Sequence, residues 1–146
     1  MFELVPPSLR YYGSFLVADA ESTAEGTGEE VTDEVGFAAL LARHERYAAG
    51  RDLPEGHVAA TTLWLVDGDV YLGRISIRHA LNDALTRIGG HIGYDVRPSR
   101  RRQGHGTRML ALALPRAEAL GIARALITCD HDNIASRRMI LRFGFC

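Results

Sequence analysis

The hydrophobic period of this chain changes near residue 57, and that change limits what it can fold into. Before it, apolar residues recur at helical spacing. Leu9, Tyr12, Leu16 and Ala20 predict a first helix from about Ser8 to Glu21, opened by Pro6-Pro7-Ser8. Phe37, Leu40, Leu41, His44 and Ala48 predict a second, capped by Thr32 or Asp33 and stopped at Gly50. After it, two β-branched, apolar runs, 58–66 and 70–78, flank Asp67-Gly68-Asp69, which is a hairpin signal. Gly89-Gly90 precedes a further strand from His91 to Arg97, ended by Pro98. The longest helical pattern opens at Gly104-His105-Gly106 and carries Met109, Leu110, Ala113, Leu114, Ala117 and Leu120, with a kink expected at Pro115. A short strand over 125–129 and a helix over 133–143 complete the reading, while residues 22–30 are expected to form a mobile acidic loop.

The chain has 146 residues, of which 47% are apolar and 24% charged, so one domain over 1–146 with a sizeable core is expected. No apolar run reaches the roughly 18–20 residues of a membrane span, and no secretory start is visible. Two cysteines, Cys129 and Cys146, without a C-x-x-C pair argue against a disulfide framework or a thiolate zinc site and suit the cytoplasm. All 17 basic residues are arginine. Residues 97–146 hold 10 Arg against 3 acids, and residues 1–96 hold 7 Arg against 15 acids, so an acidic front joins a basic back. A basic half suits an anionic ligand; solvated helix faces are the plain alternative.

The strand ending at Arg97, the turn Arg100-Arg101-Arg102-Gln103-Gly104-His105-Gly106 and the helix behind it place unpaired backbone amides at a helix start. Glycines let an anion approach closely, and guanidinium groups bind phosphate in pairs of hydrogen bonds. This is a credible diphosphate cradle, although many loops contain G-x-G.

The segment Val96-Arg97-Pro98-Ser99-Arg100-Arg101-Arg102-Gln103-Gly104-His105-Gly106-Thr107 resembles the acetyl-CoA motif of GNAT acetyltransferases, R/Q-x-x-G-x-G/A after a strand ending in V-x-P. A second block, Asn133-Ile134-Ala135-Ser136 leading to Gly144-Phe145, is similar to that family's N-x-x-A/S helix and G-F pair. The order of elements matches as well, and within the superfamily residues 77–82 and 90–99 resemble a bacterial group of predicted acetyltransferases. The resemblance implies an α+β (mixed α/β) fold: a central, mostly antiparallel sheet with a splayed parallel strand pair, flanked by helices. It implies acetyl-CoA as acyl donor and no metal. Tyr94 and Val96 would pair with the pantetheine arm. Gln103, Gly104, His105, Gly106 and Thr107 would offer amides to the diphosphate, flanked by Arg101 and Arg102. Asn133 and Ser136 would lie at the pantetheine.

The implied reaction is direct attack of a primary amine, on a small molecule or peptide, on the acetyl thioester in a ternary complex. The attacking amine must lose a proton. His79 and His91 are the candidates for a catalytic role, against the more ordinary reading of each as a structural histidine. Asp95 is expected to face away from the cofactor, His105 to be a solvated side chain, and Cys129 a core thiol. His131, between Asp130 and Asp132, reads as loop, not as a metal ligand. The chain departs from the family twice. Ile140 stands where members often carry a tyrosine that protonates the leaving thiolate, and the sequence stops at Cys146, so the family's C-terminal strand pair is expected to be lacking. A homodimer covering the resulting strand edge is expected. Seven acids and no arginine between Asp19 and Glu34 would favour a cationic acceptor if they bordered the cleft. The alternatives are a CoA-binding module, or truncated pseudoenzyme, without turnover, and, last, a nucleic-acid binder using residues 100–102. The third lacks interleaved aromatics, so no nucleic-acid or membrane partner is expected.

Overall fold

The computed structural model describes residues 1–80 and 91–120. In chain order they form β1 (Phe2–Val5), α1 (Tyr12–Ala24), α2 (Glu34–Ala49), β2 (Ala60–Asp67), β3 (Val70–Arg78), β4 (Ile92–Val96) and α3 (His105–Ala119). The strands make one antiparallel sheet in the order β1-β2-β3-β4. The fold is α+β, as the sequence implies. The expected strand over 125–129, the helix over 133–143, Cys129, His131, Asn133, Ser136, Ile140 and Cys146 lie outside the described residues. So does any splayed strand pair made with residues 125–129. Among the described residues, no helix is long and apolar enough to cross a membrane.

Local chemistry sets the boundaries. The Asp33 carboxylate accepts a hydrogen bond from the Gly36 amide at 2.8 Å, which starts α2, and Gly50 closes it. Ser8 caps a 3₁₀ turn, Leu9–Tyr11, by accepting from the Arg10 amide at 3.3 Å, and α1 follows from that turn. The hairpin forms as its turn signal predicts, with Asp67 opposite Val70. Its register steps between Leu65 and Val66, which face Gly73 and Tyr71, so Leu72 is an extra residue on β3. Just past this bulge, a Cβ on Gly73 would stand 2.6 Å from the Asp95 carbonyl oxygen and 3.2 Å from Met109 Cε. Only glycine lets β4 and α3 come that close.

Each face of the sheet buries its own core. On one side Leu63, Leu65, Ile75, Ile77 and Ile92 pack against Met109, Leu110 and Ala113 of α3. On the other, Trp64, Val66 and Tyr71 pack against Tyr11, Phe15, Phe37 and Leu40. Phe15 stacks on Trp64 with ring centroids 4.9 Å apart, and Tyr71 meets Trp64 edge-on at 5.1 Å. Each such side chain contributes roughly 1.5–3 kcal/mol of burial.

Several expectations are corrected. Residues 2–5 form a strand that the sequence reading passed over, pairing Leu4 with Leu65. Ala48 of the α2 stripe is exposed. The acidic loop is tethered: buried Asp19 accepts from the Glu29 amide at 2.7 Å and the Val31 amide at 2.8 Å. Two carboxylate bonds satisfy amides that would otherwise be stranded against the core.

Candidate functional site

The strand β4 hands the chain to a tight turn and then to α3. Arg102 takes a left-handed backbone, φ 64°, and so does Gly104, φ 81°. For Arg102 that conformation costs on the order of 1 kcal/mol, since its Cβ crowds the following carbonyl. A left-handed residue next to right-handed backbone is the arrangement in which successive N–H groups can line one concavity. Gly104 is the N-cap of α3 and offers no side chain to it. The first backbone bond into the helix is Arg108 N–H to Gly104 O at 3.0 Å. Thus the amides of His105, Gly106 and Thr107 have no partner among the described residues. Unpaired amides together with the positive end of the helix dipole make an anion site.

The arginines before this turn divide into two pairs. Arg97 and Arg101 are spent internally. Arg97 grips Glu21 of α1 through Nε at 3.0 Å and Nη2 at 2.9 Å, and the Ser99 amide adds a bond to Glu21 at 3.0 Å. The Arg97 guanidinium thereby holds the Glu21 carboxyl at about 2, against an ordinary 4.5. Arg101 pairs with Glu25 at 2.9 Å and Asp95 at 3.3 Å and donates to the Val96 carbonyl at 3.1 Å. Arg100 and Arg102 are exposed and make no ion pair among the described residues, so their charge faces solvent beside the amides. Gln103 and Gly104 are exposed too, while Gly106 and Thr107 are half-buried.

His105 is not the solvated side chain expected. Its ring is buried, tilted against Phe2 of β1 at 5.5 Å, and its Nδ1 meets Arg108 Nη1 at 2.8 Å. Arg108 in turn lies 3.8 Å over the Phe2 ring. Burial, with Arg108 and Arg100 adding to it, lowers the His105 pKa. The inward ring leaves the His105 amide at the helix mouth. The missed strand β1 explains the discrepancy, because it supplies the wall that His105 packs on.

Tyr94 and Val96 lie on β4 opposite Ile75 and Gly73, and both pack against the α3-side core. Asp95 points to the other face, where it helps line a small cavity with Phe15, Asp19, Glu29 and Arg74. His79 and His91 sit at the far end of β4 from the turn. His79 Nε2 meets Thr61 Oγ1 at 2.7 Å, and its amide donates to the Ala59 carbonyl at 2.9 Å. His91 accepts from the Arg78 amide through its carbonyl, and burial lowers its pKa.

A cavity of about 460 Å³ opens at that same end, between α2 and the sheet. Arg43, His44, Tyr47, His57, Thr62, Ser76 and Arg78 line it. Nothing local in the sequence marks these residues as a site: His44 belongs to an apolar helical stripe, and Arg74, Ser76 and Arg78 to strand alternation. That alternation was the available signal, since it puts three polar side chains on one face of β3. Glu29 stands beside the cavity, its two oxygens taken by Arg43 and Arg74 at 2.6 Å each. Burial alone would raise its pKa, but the two guanidiniums outweigh this and lower it.

A family model for the acetyltransferase (GNAT) domain matches residues 4–146. Among solved structures, the fold is similar to the microcin C7 self-immunity acetyltransferase MccE in complex with acetyl-CoA and AMP. There the identity is 15% and the TM-score 0.66, with 98% of this chain and 77% of that one covered. It is similar to RimL, a ribosomal L7/L12 α-N-protein acetyltransferase in complex with coenzyme A, at 16% identity and TM-score 0.66, covering 98% of this chain and 78% of that one. An acetyltransferase from Agrobacterium tumefaciens aligns at 17% identity and TM-score 0.58, again covering 98% and 78%. Comparison with curated proteins gives no match. With the family model spanning nearly the whole chain and the motif turn leading an uncapped helix, this protein belongs to the GNAT acetyltransferase family.

Proposed function

We propose that the chain transfers the acetyl group of acetyl-CoA to a primary amine by direct attack in a ternary complex. The observation that carries this is the uncapped start of α3, with three amides, two left-handed backbone positions and the exposed Arg100 and Arg102 at one spot. A diphosphate fits that donor set: it has acceptor oxygens for the amides and charge for the guanidiniums. Backbone groups of Tyr94 and Val96 would pair with the pantetheine arm, and Asn133 and Ser136 would reach it from outside the described residues. Two of the co-complexes with similar folds hold acetyl-CoA or coenzyme A, which supports the same donor here.

In the reaction the amine nitrogen attacks the thioester carbonyl carbon. The carbon–nitrogen bond forms, the carbon–sulfur bond breaks and coenzyme A leaves as the thiolate. A backbone amide of β4 would stabilise the tetrahedral oxyanion. His79 and His91 are the groups proposed to receive the ammonium proton; burial lowers the His91 pKa, which favours the neutral form that an acceptor needs. The test is calorimetric titration with coenzyme A, followed by thiol release from acetyl-CoA with a panel of amines. Micromolar binding with amine-dependent release is the expected result. Binding without release reduces the chain to a coenzyme-binding module, and absence of binding removes the transferase reading altogether.

A further inference from the structure

The first turn of α3 carries two side chains that a helix start does not favour. His105 opens the helix and is buried, and Arg108 puts a cation beside the positive end of the helix dipole. Three residues apart, they share one face of the helix. One aromatic ring holds both. Phe2 of β1 lies 5.5 Å from the His105 ring, and the Arg108 guanidinium carbon stands 3.8 Å over the Phe2 ring. Arg108 Nη1 meets His105 Nδ1 at 2.8 Å and closes the triangle. Arginine only donates, so Nδ1 accepts and the imidazole is neutral with its proton on Nε2. The lowered His105 pKa, set by burial, then Arg108 and Arg100, is in keeping with that form.

Phe2 belongs to neither core. It is 37% exposed at the sheet edge. The side chains that pack α3 on the sheet, Met109, Leu110, Ala113 and Ala117, begin one turn further along the helix. They fix its body, whereas residues 105–108 are held against β1. A second contact between these two elements, from Arg116 Nη2 to the Leu4 carbonyl at 3.3 Å, keeps β1 alongside α3. Pairing of Phe2 with Asp67 of β2 sets the place of the ring from the sheet, independently of the turn it supports. Gly104 supplies no side-chain cap, so the attitude of the first turn depends on this packing.

We propose that Phe2 is a positioning residue for the coenzyme: by holding the His105 ring and the Arg108 guanidinium, it fixes the first turn of α3 so that the amides of His105, Gly106 and Thr107 meet the diphosphate together. The edge strand β1 thereby becomes part of the donor site, acting through His105. This rests on the transferase reading given above.

The test is calorimetry and phosphorus NMR with coenzyme A on the parent, Phe2→Ala, Phe2→Leu and Phe2→Tyr. Phe2→Ala should weaken binding roughly tenfold, the worth of one hydrogen bond to a charged group. Phe2→Leu keeps apolar bulk without a ring face and should lose severalfold; it serves as the second variant should Phe2→Ala not fold. Phe2→Tyr should bind within about twofold of the parent, since the ring face is restored. At saturation the diphosphate resonances of the bound coenzyme should move in Phe2→Ala and return in Phe2→Tyr, with the separate ribose phosphate unmoved. In a His105→Ala background, Phe2→Ala should add less than about twofold, because the two replacements remove one device. Parent-like affinity in both Phe2→Ala and Phe2→Leu, losses that multiply in the double variant, or diphosphate resonances that stay in place would each overturn the proposal. A parent that binds coenzyme A, with variants that bind alike, defeats this proposal alone. A parent that does not bind defeats the transferase reading, and this proposal with it.

Discussion

Asp19 is 5% exposed, yet it is a carboxylate on an amphipathic helix. It is tolerated because both oxygens accept from backbone amides, which converts a costly buried charge into a loop anchor. His44 shows the opposite solution, a titratable group kept neutral. Its imidazolium is opposed by burial, then by the Arg43 and Arg74 charges, and only Glu29 favours it. The folded pKa of about 4 lies below the ordinary 6.5, so the unfolded chain binds the proton first as pH falls. The stability His44 supplies is therefore complete above pH 6.5 and drains away as pH drops toward 4. Urea titrations across that window should show a flatter pH dependence in His44→Asn than in the parent. Parallel curves would mean that His44 is solvated and uncoupled.

The turn before α3 is strained where it would bind. Arg102 bears a left-handed backbone that glycine would adopt freely. Arg102→Gly relieves that strain and raises the entropy of the unfolded chain, two effects of similar size and opposite sign. Stability should thus move by less than about 1 kcal/mol, while coenzyme A affinity falls severalfold for want of the guanidinium. Arg102→Gln keeps the strain and loses the charge, so it should weaken binding to a similar degree. Calorimetry beside thermal melts separates the two quantities. Unchanged affinity in both variants would place the diphosphate elsewhere. The sequence exposed this element well: the glycine pair, the arginine run and the strand before them were all legible. What it hid was the direction of the His105 ring, which depends on Phe2, a residue more than a hundred positions earlier.

Across the whole molecule, the acidic front and basic back meet in ion pairs. Glu21 with Arg97 and Glu25 with Arg101 fasten the motif turn to α1. The Glu21 pair is the better shielded, with its guanidinium 10% exposed. Breaking it with Glu21→Gln should cost roughly 2 kcal/mol near neutrality, the scale of hydrogen bonds to charged groups. Because the folded pKa of Glu21 is depressed from 4.5 to about 2, its contribution is full above pH 4.5 and lost as pH falls toward 2. The stability gap between Glu21→Gln and the parent, measured by urea unfolding, should accordingly close over that interval; a constant gap would assign the effect to packing.

Periodicity in the chain determined α2, the β2–β3 hairpin, β4 and the start of α3, because each is set by neighbours within a few residues: a cap, a turn, an alternating face. It did not reveal β1, whose four residues carry little pattern and owe their strand to pairing with β2 sixty positions away. Nor did it reveal the partners of the acidic run or the cavity beside α2. Charge signs are written in the sequence, but which carboxylate meets which guanidinium depends on how helices and strands pack. The tertiary structure alone decided that Glu21, Glu25 and Glu29 are spent on arginines and that Arg43 and Arg78 share a concave wall. Contacts between residues far apart in the chain have no local signature, and the electrostatics of a site is made of such contacts.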